Sequence, residues 1–286
     1  MFRGRAGELG AFLRARRDEL RPEEVGLTVW DEPRRVPGLR REEVAELASI
    51  STDYYTRIEQ ARIAVTPSVL AAVASALRLD VAQRHYVFGL LSQQGGEARR
   101  PRAQCVQPQL RRLLDGLPTI PALVLGRYMD VLAWNHLASV LVTDFARIPR
   151  HERNWVRLIF LDPRMRKVHA DWEDVARQAV AQLRMEASAN VGSARLRALV
   201  GELAERDAAF RAWWSSYEVA IEVRGTTMLH PTVGTLELES STLASTIDPD
   251  QRLVSWTARP GSRAGRRLRA LSELPADVAH GVPVAA

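Results

Sequence analysis

The stretch from Arg40 to Gln60, RREEVAELASISTDYYTRIEQ, constrains this chain more than any other. Val44, Ala45 and Ala48 fall three or four residues apart and share one face of a first short helix; Tyr55 and Ile58 do the same on a second. Ile50 is the apolar plug of the turn between them, and Ser51 or Thr52 caps the second helix through its hydroxyl oxygen. Ala45 supplies the small side chain that two steeply crossing helices need at their contact. This spacing predicts a helix-turn-helix, whose second helix enters the DNA major groove. An unrelated helical hairpin has the same spacing, so the neighbours decide.

Those neighbours are helical. An amphipathic helix is expected from Leu9 to Leu20, another from Thr66 to Leu77 with Thr66 as cap and Pro67 at its first position, and a third from the cap Asp80 to about Leu91. Arg21 to Gly38 holds Pro22, Trp30, Pro33 and Pro37 and reads as an extended loop beside the DNA-binding surface, with Arg34 and Arg35 as phosphate candidates. At 286 residues the chain has room for two modest domains. We place a helical domain at 1–91, a polar, glycine-containing linker at 92–108, a second domain at 109–275 and a tail at 276–286.

The second domain changes character. A short helix is expected at Leu110–Leu117, strands at Ala122–Leu125 and Asp130–Trp134, and helices at 134–145, 155–160, 172–187, 193–200 and 207–217. Strands follow at Val219–Arg224, Thr226–Leu229, Thr235–Glu239 and Leu253–Thr257, then a basic helix at Gly265–Leu271. Strands at both ends with helices between predict an α+β sheet whose helices cover one face.

Composition narrows the chemistry. The formal charge is +6, Lys167 is the only lysine, and residues 1–115 hold 19 arginines against 15 acidic residues, so the basic excess leans towards the first half. Cys105 is the only cysteine, which excludes an internal disulfide or a cysteine-based zinc cluster. Without a membrane-length apolar run or a signal-peptide core, the cytoplasm is the expected location. The sequence has no G-x-S-x-G elbow, P-loop, H-E-x-x-H or dinucleotide-binding turn, and His85, His136, His151, His169, His230 and His280 lack metal-ligand spacing. We therefore expect no enzyme, no cofactor and no metal.

Five helices around such a pair resemble the lambda-repressor-like domains of the XRE family. The runs PGLRREEVA from Pro37 and DYYTRIEQ from Asp53 resemble the N-terminal part of the MmyB-like bacterial transcription regulators. The resemblance continues in DVLAWN from Asp130, HPTVG from His230 and WTARPGS from Trp256. It implies a multidomain chain: an all-α lambda-repressor-like helix-turn-helix domain, then an α+β PAS-like domain whose hydrophobic cavity accepts a fatty-acid-like molecule. Helix-turn-helix docking further leads us to expect a homodimer reading a palindromic operator on double-stranded DNA, and the lack of a membrane-length apolar run leads us to expect no membrane partner.

On that reading Arg41 meets a phosphate or a guanine edge, Ser51 caps, and Thr52 and Asp53 face base edges. Tyr54 bonds a phosphate through its hydroxyl, Thr56 reaches a thymine methyl or a phosphate, and Arg57 divides between phosphate and an intrahelical pair with Asp53. The XRE pattern has glycine in the turn and after the recognition helix, where this chain has Ser49 and Ala61; a left-handed Ala61 costs about 1 kcal/mol. Ligand-lining candidates are Tyr128, Trp134, Asn135, Phe145, Trp155, Arg157 and Trp213, with Tyr128, Asn135 and Arg157 as polar anchors. Two rival readings make the second domain an enzyme governed by the first, or a closed dimerisation module.

Overall fold

The computed structural model describes residues 4–27, 38–92, 104–189, 193–219 and 225–274. They fall into two compact units. The first comprises Met1–Arg99 with Arg184–Val200 and Ala212–Ile221, and the second Arg100–Leu183 with Gly201–Arg211 and Glu222–Ala286. The expected loop arginines Arg34 and Arg35, most of the linker, most of the strand Val219–Arg224 and the tail lie outside the described residues.

The first unit opens with the helices α1 (Arg5–Glu19), α2 (Arg41–Leu47), α3 (Thr52–Glu59), α4 (Pro67–Ala76) and α5 (Val81–Ser92). Their starts follow the sequence signals. The Ser51 hydroxyl oxygen accepts from Tyr54 N at 3.2 Å, and the Thr66 oxygen from Val69 N at 3.4 Å ahead of Pro67. Asp80 and Gln83 cap α5 reciprocally, at 2.8 and 3.1 Å. Phe12, Leu13, Val44, Ala45, Tyr55, Ile58, Leu70, Val73 and Tyr86 form the buried core, with Ile50 packed against it from the turn.

Three of these helices end in Schellman turns whose left-handed residue is not glycine: Ser49 (φ 54°), Ala61 (φ 57°) and Arg78 (φ 48°). In each, the next residue's N–H reaches back five residues, as from Ile50 to the Ala45 carbonyl and from Arg62 to the Arg57 carbonyl, both 2.9 Å. The turn after α3 keeps the path that glycine would give it, at the expense of strain on a Cβ. Glycine is kept where a Cβ has no room. One on Gly10 would lie 2.2 Å from the Glu59 carbonyl oxygen, and one on Gly38 would lie 2.4 Å from the Arg17 carbonyl oxygen.

The first unit also holds residues that the sequence places in the second domain. Arg184, fully buried, donates to Glu8 at 3.0 Å and to the Trp214 carbonyl, and its guanidinium lies over the rings of Trp214 (4.2 Å) and Tyr217 (4.3 Å). The Tyr86 hydroxyl donates to the same Glu8 oxygen at 3.0 Å.

The second unit is built on five antiparallel strands: β1 (Ala122–Leu125), β2 (Val131–Trp134), β3 (Thr226–His230), β4 (Gly234–Ala244) and β5 (Arg252–Thr257), in the order β2-β1-β5-β4-β3. This is the α+β architecture expected, with one correction. Helices cover both faces, not one. Helix α6 (Pro108–Asp115) belongs to the cluster of Leu114, Ala122, Val124, Ala133 and Leu253. Trp256, three residues from Leu253 and so on the opposite face, stacks on Trp155 of α8 (Trp155–Leu161) at 5.7 Å. The continuous apolar run of β1, buried at every position, is the sequence sign of that double cover. Helices α7 (His136–Leu141), α9 (Pro163–Val168), α10 (Trp172–Ala189), α11 (Ala194–Arg206), α12 (Ala208–Ser215) and α13 (Arg263–Ser272) complete the chain, and the unit boundaries run through α10, α11 and α12. Among the described residues no helix is long and apolar enough to cross a membrane.

Ser49→Gly and Ala61→Gly each relieve a left-handed side chain, so each should raise stability by about 1 kcal/mol in urea unfolding. A matched Gly10→Ala variant should be strongly destabilised in the same experiment.

Candidate nucleic-acid interface and ligand-binding unit

Helix α3 is divided into two faces. Tyr55, Ile58 and Glu59 are buried, whereas Ser51, Thr52, Asp53 and Arg57 are exposed and Tyr54 and Thr56 half-buried. The first two turns therefore offer solvent a hydroxyl, a carboxylate, a second hydroxyl and a guanidinium. Asp53 and Arg57 form an i,i+4 pair at 3.0 Å. That offsets the carboxylate where a polyanion would approach and leaves further guanidinium N–H groups to donate.

The buried face is held by charge. The Glu59 carboxylate, 1 % exposed, accepts from Arg17 Nε at 2.6 Å and from Arg41 Nε at 2.8 Å. Arg17 also donates to the Leu39 carbonyl at 2.8 Å, which ties α1 to the residues entering α2. Burial alone would raise the Glu59 carboxyl, but the hydrogen bonds and charges of the two arginines outweigh it and hold it below the ordinary carboxylate value. Arg41 thus has a structural partner that its sequence position did not announce, although a third of its side chain stays exposed. Beside it lies a cleft of about 440 Å³ bordered by Arg14, Arg41, Glu59 and Arg62. Arg14 and Arg62 were not among the sequence candidates. The three-residue step from Arg14 to Arg17 on α1 was the available signal.

The ligand candidates of the second unit do not act as one group. Asn135 caps α7. Its amide oxygen accepts from Ala122 N (3.1 Å) and Ala138 N (2.9 Å), and its amide nitrogen donates to the Leu117 and Ile120 carbonyls, both at 2.7 Å. All four hydrogen-bonding positions are used, so Asn135 fixes the corner after β2 and has none left for a ligand. Arg157 is likewise committed to Glu202 (3.1 Å) and Glu152 (2.9 Å). Tyr128 and Met129 are both left-handed, at φ 57° and 64°, in the turn between β1 and β2, with the Tyr128 carbonyl accepting from the Asn154 amide at 2.7 Å. Trp134 and Phe145 pack ring to ring at 5.3 Å. Trp213 belongs to the first unit.

Trp155 has the most informative surroundings. It stacks on Trp256 and meets the edge of His169 at 6.4 Å. His169, a residue sequence reasoning set aside, is 2 % exposed; burial lowers its pKa to about 4, so it is neutral. Its Nδ1 lies 3.5 Å from the Thr226 hydroxyl, and its Nε2 has no hydrogen-bond partner among the described residues.

A capped helix pair packed on an all-α core, followed by an α+β unit, defines a helix-turn-helix protein with a separate second domain. The chain belongs to the MmyB-like transcription regulators. The family model described as MmyB-like transcription regulator ligand binding domain matches residues 106–271, and the one described as helix-turn-helix domain matches residues 8–87. No curated protein matches it. The chain is accordingly a DNA-binding transcription regulator with a ligand-binding domain.

Removing one partner of the buried ion triad should loosen α3 from α1 and α2. Glu59→Gln takes the buried counter-charge from Arg17 and Arg41, leaving Arg17 only the half-exposed Asp18 at 2.7 Å, and should cost about 3 kcal/mol in thermal unfolding. Because the folded carboxyl titrates below its unfolded value of 4.5, its contribution is complete above that pH and fades as pH falls below it. The wild type should show that acid loss and Glu59→Gln should lack it.

Proposed function

We propose that α3 reads an operator half-site through Thr52, Asp53 and Thr56 at base edges, with Ser51 fixing its start and Arg41, Tyr54 and Arg57 on phosphates. Two chains related by two-fold symmetry then read a palindrome. The observation that carries this reading is the two-faced α3, whose inner face is locked by the Glu59 ion triad while its first turns face solvent. The cleft bordered by Arg14, Arg41 and Arg62 supports phosphate contact beside it.

The second unit takes up an apolar molecule with a polar head, of which a fatty acid is the simplest. Supporting this are the Trp155–Trp256 stack and the partnerless Nε2 of His169, a buried polar atom that wants a hydrogen bond. In the tautomer that has the proton on Nε2, that nitrogen donates to a carboxyl head while Nδ1 faces the Thr226 hydroxyl at 3.5 Å. The ligand changes DNA affinity only as far as it prefers one of two arrangements of the chain.

The test is a titration of the full chain onto duplex DNA from upstream of its own reading frame. Thr52→Ala should weaken that binding roughly tenfold while leaving random-sequence DNA unaffected. Arg41→Ala should weaken both and make the salt dependence shallower by about 0.9. Adding a long-chain saturated fatty acid should shift the wild-type affinity but not that of His169→Phe. Equal, salt-erased binding to all DNA by the wild type would overturn the regulator reading, and an affinity unmoved by fatty acid would overturn that ligand class.

A further inference from the structure

We propose that the exposed face of α13 in the ligand-binding domain is a second contact for the DNA phosphate backbone, formed by Arg263, Arg266 and Arg269. This rests on the regulator reading above, which puts the chain on a duplex.

Residues 252–272 contain six arginines and no aspartate or glutamate, although the whole chain carries 34 acidic residues in 286. The fold sorts those arginines. Arg252 is largely buried in β5. Arg259 pairs with Glu239 at 3.3 Å and Arg267 donates to the Thr235 carbonyl. Both border a groove of about 500 Å³ that Glu237 and Glu239 also line, so their charge is answered locally. Arg263 lines the same groove, and Arg266 and Arg269 follow it at three-residue steps outside the groove lining; all three are exposed. Arg266 gives one N–H to the Gly261 carbonyl at 2.8 Å, which holds it along the helix start. The nearest acidic residue along the chain is Glu273, just past the C-terminal end of the helix.

Placement makes the stripe costly without a partner. Ala264, Leu268 and Leu271 are buried, which leaves the arginine face outward. Ser262 caps the helix at 3.1 Å, and the first turn holds no acid but does hold Arg263 and Arg266. Helix N-termini favour negative charge, so two guanidinium groups there oppose the helix dipole and an external anion relieves them.

The duplex fits this anion in spacing and supply. Arg263 to Arg269 spans about 9 Å of helix at 1.5 Å per residue. Phosphates follow one DNA strand at about 3.4 Å of axial rise, so flexible arginine stems reach neighbouring phosphates. A surface this small holds free polyanions weakly. Tethered to a domain already on DNA, it meets phosphates at high effective concentration.

The experiment compares the full-length wild type with R263Q/R266Q/R269Q on a random-sequence duplex over a range of salt concentrations. Every phosphate that is no longer neutralised makes the log–log salt slope shallower by about 0.9, so the triple variant should give up about two to three units of slope and the single variants about one each. All these substitutions are on an exposed face, so unchanged thermal unfolding shows that the fold is intact. An unchanged slope in the triple variant overturns this inference and leaves the regulator reading standing. Wild-type protein that binds no duplex overturns both. Binding of phosphatidylserine vesicles by the wild type, abolished in the triple variant while the DNA slope is unchanged, gives the surface to anionic membranes and overturns the DNA assignment.

Discussion

The face that α3 presents to solvent depends on one buried carboxylate. Glu59 is the last residue of α3, and its two oxygens are taken by Arg17 from α1 and Arg41 from the start of α2. A charge this enclosed is tolerated only when fully paired, so the three helices have one arrangement in which it is satisfied. Gly10 and Gly38 make that arrangement reachable, because any side chain there would push α1 away from the end of α3 or from the entry to α2. The exposed turns of α3 owe their orientation to this joint more than to helix propensity, which is weak over eight residues.

The second unit solves a different problem. Two of its side-chain amides are spent within the fold: Asn135 joins β1, α7 and the turn before β1, and Asn154 bridges the Tyr128 carbonyl and the Asp130 carboxylate at 2.7 and 2.9 Å. These groups secure the corners of the sheet. Between those corners Trp155, Trp256 and the neutral His169 bring apolar rings and one imidazole together.

Local signals in the sequence were strong where structure is decided locally. The caps Ser51, Thr66 and Asp80, the strand Ala122–Leu125 and the strained positions Ser49 and Ala61 all stand where residue type and spacing place them. What could not be read depends on partners far apart in the chain. Arg17 and Glu59 are 42 residues apart, and Arg184 and Glu8 are 176 apart. Nothing in the sequence around Arg184 announces that it will be buried between Trp214 and Tyr217 in the company of α1. Asn135 and Arg157 have the chemistry of ligand anchors, but only the fold shows their hydrogen bonds already committed. His169 failed in the opposite direction, since one histidine among six carries no mark of burial.

Helix α3, held by the Glu59 triad, is proposed to read base sequence. A selection from random-sequence duplex DNA by the full-length protein tests it most directly. The account predicts a single enriched motif made of two inverted half-sites about 10 base pairs apart, abolished when Thr52 and Arg57 are both replaced by alanine. A pool that stays random while still being retained by the protein would contradict it, leaving α3 a phosphate-binding surface without a base-reading role.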